Sequence, residues 1–162
     1  MTALAESTTN VSLLTHTEFH SSTSVFSEFN ILLVEHRDEV FARLQRDLYD
    51  LGIGTYRATS PEELFKVHSR IPIGLTLANS RLPHSSVWLT TAKLRIYMSH
   101  ARIWVYLARP TSQERVWAKL ARIERVLSYD GSLFQLAERV QCELCGFGTE
   151  MARAMGHWRE AC

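Results

Sequence analysis

Ile73-Gly74-Leu75-Thr76-Leu77-Ala78-Asn79-Ser80-Arg81-Leu82-Pro83 is an apolar run that ends in a carboxamide and a Leu-Pro turn. Its length suits a strand, and side chains apolar on both faces suit a parallel strand covered on both sides. Ile31-Leu32-Leu33-Val34-Glu35-His36 has the same shape and ends in an acid followed by an imidazole. Open α/β sheets carry their chemistry at the carboxyl ends of their strands, so Glu35, His36 and Asn79 are expected at one edge of one sheet.

Outward from these runs the pattern alternates. Asp38 and Glu39 suit the first turn of a helix, and Val40, Phe41, Leu44, Leu48 and Leu51 fall on one of its faces before Gly52 and Gly54. A short strand over 53–58 leads to Ser60-Pro61-Glu62-Glu63, a capping signal with proline at the first helical position, which starts a helix reaching about His68. After Pro83, Val87, Thr91, Leu94 and Met98 recur at helical spacing over 85–100. Residues 102–108, rich in β-branched and aromatic side chains, make the next strand. Thr111-Ser112-Gln113-Glu114 is a second capping signal, and Val116, Leu120, Ile123 and Leu127 then predict a helix to about Ser128. Asp130-Gly131 makes a turn, and Leu133, Leu136, Ala137, Val140 and Leu144 share a face of a last helix. The expected architecture is α/β, a doubly wound parallel sheet of four strands, or five, with an extra C-terminal helix. Residues 1–28 hold twelve Ser and Thr and no Lys or Arg, and they read as a flexible arm ahead of an α/β domain over 29–128 and a helical extension over 129–162.

Glu35, the Asn79–Pro83 turn and the Arg109-Pro110 pair together resemble the receiver domain of bacterial response regulators, the resemblance running from Asn30 to Ser128. It implies a signalling module of a two-component system or phosphorelay. Receivers keep an acidic pair after the first strand, here Glu35 and His36, and a phosphate-accepting aspartate after the third, here Asn79. Acyl phosphate formation needs an ionised carboxylate and a hard cation held by oxygen ligands. A carboxamide lacks the first, and an imidazole serves the second poorly, so no phosphorylation, catalysis or cofactor is expected.

Receivers have five strands, and thirty residues from Asn79 to Arg109 leave room for one helix and one strand. Two alignments compete. Residues 102–108 are either the fourth strand, whose terminal Thr or Ser would be replaced by Leu107 or Ala108, or the fifth, with Arg109-Pro110 standing for a Lys-Pro pair. We take the second, for the helix that follows. Arg109 then replaces a phosphate-binding lysine and completes a degenerate acceptor pocket with Glu35, His36 and Asn79.

Composition narrows the rest. The chain has 162 residues, 46% hydrophobic and 22% charged, with a formal net charge of +1 and a pI near 7.8. That balance does not mark a nucleic-acid binder. No stretch is apolar enough to span a bilayer and no secretory signal opens the chain, so a cytoplasmic location is expected. Between Arg81 and Arg125 there are nine Lys or Arg against two Glu, whereas Met1–Asp50 holds eight acids against three Arg. Arg115, Lys119 and Arg122 are read as an interaction face for a protein partner or a second copy of the chain. The alternative is a nucleic-acid-associated regulator using the basic 81–125 segment, with zinc on Cys142, Cys145, His157 and Cys162; thiols idle on a terminal helix are the simpler reading.

Overall fold

The computed structural model describes residues 29–155, with side-chain surroundings up to residue 144. β1 (Asn30–Val34) leads into α1 (Asp38–Tyr49), then β2 (Gly54–Ala58), α2 (Pro61–His68) and β3 (Leu75–Asn79). A two-strand hairpin, β4 (Arg81–Leu82) and β5 (Ser85–Ser86), precedes α3 (Val87–Tyr97), β6 (Ile103–Leu107), α4 (Ser112–Leu120), β7 (Arg125–Ser128) and α5 (Leu133–Met155). The main sheet is parallel throughout, in the order β2-β1-β3-β6-β7.

Alternation along β1 shows why the central strands β1, β3 and β6 are apolar on both faces. Ile31 and Leu33 join Leu75, Leu77, Trp104 and Tyr106 in a core under α1 and α5, while Leu32 and Val34 join Ala78, Ile103 and Val105 under α2 and α3. From α5, Leu136, Ala137, Val140 and Leu144 enter the first of these cores. The helix starts obey their sequence signals. Ser60 Oγ accepts from Glu63 N–H, Thr111 and Glu114 form a reciprocal capping box, and Glu63 reaches past Ser60 to the Thr59 amide and hydroxyl.

Two expectations need correction. The helix after Thr111 is shorter than expected: α4 ends at Leu120, and Arg125–Ser128, read from the sequence as the end of that helix, pairs with Trp104–Leu107 instead and makes the fifth of the four or five strands expected. The break lies at Arg122, which turns the chain in the left-handed region at φ 53°. Its amide is bonded to the Lys119 carbonyl and the Ile123 amide to that of Ala118. Glycine ordinarily marks such a stop, and an arginine gave no signal there. Residues 103–107 are therefore the fourth strand of the sheet in chain order, flanked by β3 and β7, so the alignment that makes Arg109-Pro110 the pair after the fifth strand is overturned. Tyr129-Asp130-Gly131 follows the fifth strand. The Leu-Pro turn read from the sequence closes the hairpin of β4 and β5, with His84 at φ 58°, though the strand pairing itself had no signal.

Candidate functional site at the strand ends

β1 and β3 are hydrogen-bonded neighbours in register, Val34 opposite Ala78, so the residues that follow them, Glu35 and Asn79, are carried side by side. Asn79 Nδ2 donates to Glu35 Oε2 at 2.9 Å, and Asn79 Oδ1 accepts the Arg81 amide at 2.9 Å. Both side chains are buried, Glu35 completely. An unpaired carboxylate there would be costly, and the neighbourhood supplies its partners. Arg37 donates its backbone amide and Nε to Oε1 at 2.8 and 3.1 Å, and Nη2 to Oε2 at 3.0 Å. The Tyr106 hydroxyl, from the next strand along, donates to Oε2. His36 Nδ1 lies 3.3 Å from Oε1.

The electrostatics follow from that shell. Burial works to raise the Glu35 pKa, but the hydrogen bonds from Arg37 and Tyr106 and the Arg37 charge outweigh it, so the carboxyl titrates below its ordinary value. Burial and the adjacent carboxylate push the Tyr106 phenol far up, which keeps it a neutral donor. Arg37 also covers Tyr129, its guanidinium carbon 5.7 Å from the ring centroid, and Tyr129 meets Tyr106 edge to face at 5.9 Å. A carboxylate offers about four lone-pair positions. Those of Glu35 are taken by the chain's own donors.

Above this network lies a cavity of about 560 Å³, lined among others by His36, Arg37, Asn79, Arg81, Leu107 and Tyr129. Of the residues read from the sequence as an acceptor pocket, Glu35, His36 and Asn79 come together. Arg109 is exposed in the loop after β6, beside the cavity-lining Ala108 but outside that lining. Leu107 ends the fourth strand and Ala108 follows it, neither with a hydroxyl. Arg37 and Tyr106 were missed. Tyr106 carried a faint signal, as the one hydroxyl in the run Ile103–Leu107, whereas Arg37 reads as an ordinary loop residue.

On the other predicted surface, Arg115 and Lys119 are exposed on α4, while Arg122 lies past the end of that helix. Cys142 is exposed on α5; the side chain of Cys145, and all of His157 and Cys162, lie outside the described residues. Among the described residues no group of His, Cys, Asp and Glu is arranged to hold a metal ion, and no helix is long and apolar enough to cross a membrane.

This five-strand fold has many counterparts among solved structures. The receiver domain of the TMAO respiratory system response regulator TorR superposes with a TM-score of 0.63 at 22% identity, covering 72% of this chain and 96% of that one. The chain has a receiver-like fold. The signal receiver domain of an HD domain-containing protein from Pseudomonas fluorescens Pf-5 matches this receiver-like domain with a TM-score of 0.64 at 19% identity, covering 82% and 98% of the two chains. A CheY-like receiver domain protein from Methanospirillum hungatei JF-1 does so at 0.64 and 15%, covering 75% and 98%. No protein-family model and no curated protein matches the sequence.

Proposed function

We propose that this receiver-like domain is a non-catalytic signalling module that acts through protein–protein association and is not phosphorylated at Asn79. The observation that carries the reading is the occupancy of Glu35. Its carboxylate is the one oxygen ligand left of the presumed acidic cluster, and Arg37, Asn79 and Tyr106 already saturate it. A divalent cation would have to displace a guanidinium tethered two residues away that already neutralises the buried carboxylate. At the neighbouring position the nucleophile itself is an amide, whose nitrogen is committed to Glu35 and whose oxygen to the Arg81 amide.

Output then depends on surface. Helix α4 supports this, presenting Val116 and Leu120, 54% and 76% exposed, one turn apart beside Arg115 and Lys119. Apolar anchors rimmed by cations suit a protein partner with an acidic margin. The test is intact mass after incubation with Mg²⁺ and acetyl phosphate. An unchanged mass is expected, and a stable phosphate adduct on the loop after β3 ends the proposal.

A further inference from the structure

Helices α3 and α4 lie side by side and are clasped at two points. The rings of Trp88 and Trp117 meet at 6.1 Å between centroids, and Arg95 Nη2 donates to the Arg122 carbonyl at 2.6 Å. Trp88 and Arg95 belong to α3, Trp117 to α4 and Arg122 to the turn that ends it, so both helices run the same way along a shared seam. Helical geometry then fixes what the seam presents. Trp88, Ala92 and Arg95 fall at i, i+4 and i+7 on the flank of α3 toward α4. One position further round, Leu89 and Ile96, 58% and 78% exposed, point outward from α3, and Val116 and Leu120 do so from α4 beside Trp117. One apolar surface is thus shared by two helices, with the half-buried Trp88 and Ala92 and the ring of Trp117 between two raised pairs. Contiguous apolar surface of this kind marks a place of contact, whereas apolar residues scattered singly need no explanation.

The margins of the seam carry one sign. Lys93 lies on α3 beyond Leu89 and Ile96, and Arg115 and Lys119 lie on α4 beyond Val116 and Leu120. Among the described residues none of Arg115, Lys119 and Arg122 has an ion-pair partner, although Lys93 feels Glu62 of α2. The acids nearby are engaged: Glu114 caps α4 through Thr111, and Glu124 holds Arg102. Two copies joined symmetrically across this seam would set cations against cations, which disfavours a dimer there. The helices hold 11 and 9 residues, so the seam runs about 15 Å, roughly three helical turns. A helix with apolar residues on one side and acids along both edges matches that length, that surface and those margins.

We propose that the seam between α3 and α4 is a docking groove for an acidic, amphipathic helix of a partner protein, its apolar side on Trp88, Ile96, Trp117 and Leu120 and its carboxylates toward Lys93 on one margin and Arg115 and Lys119 on the other. The proposal rests on the reading of this domain as an association module and names the kind of partner. The test selects a displayed library of random peptides, about 16 residues each and so roughly 24 Å as helices, on the full chain, and measures the enriched peptides by fluorescence anisotropy. Enriched sequences are expected to carry net negative charge and large apolar residues at helical spacing, and to bind about tenfold or more weakly to Ile96→Asp and to Leu120→Asp. Both side chains are exposed, so these variants should keep the wild-type melting temperature. Lys119→Glu should weaken binding several-fold at low salt, and Tyr49→Asp, exposed on α1 on the other side of the sheet, should leave it unchanged. Enriched peptides without net negative charge, binding that survives both aspartates, equal loss in Tyr49→Asp, or no enriched peptide would each overturn the inference. So would a dimer, or adsorption to vesicles of phosphatidylserine and phosphatidylcholine, that Leu120→Asp abolishes, since the face would then belong to a second copy or to a membrane. A phosphate adduct by mass ends the parent reading whatever the peptides do; with the mass unchanged, the overturning outcomes end this inference alone.

Discussion

Arg37 grips Glu35 with two nitrogens on two different oxygens, Nε on Oε1 at 3.1 Å and Nη2 on Oε2 at 3.0 Å, from only two residues away in the chain. The paired geometry matches a planar guanidinium to a planar carboxylate, and the short loop holds the two groups together at little entropic cost. On the function proposed above, this fixed internal cation stands in for the exchangeable one that a phosphoryl-transfer site would keep. Glu35 is buried and Arg37 one-third exposed, so the acid depends on the arginine more than the reverse.

Mg²⁺ should therefore leave the wild-type protein unchanged. A site filled at 100 times its Kd would add about 2.7 kcal/mol to stability. Thermal melts with and without millimolar Mg²⁺ are expected to coincide. In Arg37→Gln, Mg²⁺ should begin to raise Tm, because the carboxylate has lost its charged partner; a clear Mg²⁺-dependent rise in the wild type contradicts this account.

Glu35 should set part of the acid limit of the fold. Its folded pKa lies below the ordinary value of 4.5, so the unfolded chain binds the proton more readily as the pH drops. The contribution is complete above about pH 4.5 and is lost as the pH falls through the folded pKa. Urea unfolding at stepped pH should show stability declining below that point. Glu35→Gln should be less stable near neutrality and show a shallower decline, and an unaltered slope would remove Glu35 from the explanation.

Restoring a carboxylate at Asn79 should not restore phosphorylation. In Asn79→Asp the donor to Glu35 Oε2 becomes an acceptor, and two buried acids face one another, which costs about 1–3 kcal/mol for the lost bond. Arg37 still holds Glu35, and Leu107 and Ala108 still lack a hydroxyl. We expect a lower urea midpoint and no added phosphate by mass. The native amide is itself guarded against deamidation, since the Ser80 nitrogen that would attack it donates to the Tyr106 carbonyl at 3.0 Å; slow conversion during storage, followed by mass, is the expected behaviour.

At the end of α4, Arg122 holds a left-handed conformation at φ 53° with an exposed side chain. An L-residue pays roughly 1–2 kcal/mol there and glycine does not, though glycine has more freedom to lose on folding. Arg122→Gly should raise stability by about 0.5–1 kcal/mol in chemical denaturation. A loss of stability would indicate that the arginine side chain holds the turn.

That same residue explains what was hard to read. Val116, Leu120, Ile123 and Leu127 keep a helical period straight through the point where the chain turns and becomes β7, and no glycine or proline interrupts them. Periodicity reports which residues are apolar, and a turned chain that then enters the core as a strand can share that spacing by coincidence. β1, β3 and β6 were legible because their runs are apolar on both faces, and β2 because glycines and the Ser60-Pro61 helix start punctuate it on either side. Tyr106 and Arg37 escaped notice for a different reason: their partner, Glu35, lies in one case two strands away and in the other behind a loop that folds back on itself.

From residue order alone came the alternation of strands and helices, the capping of α2 and α4, and the polar residues Glu35 and Asn79 that close two buried runs. These are local properties, governed by period, propensity and charge within a few residues. The strand order, the displacement of Arg109 from the cavity and the closure of Glu35 by Arg37, Asn79 and Tyr106 were decided only in three dimensions. Which donors reach a buried carboxylate depends on which strands lie side by side, and that neighbourhood is chosen by the packing of the whole core.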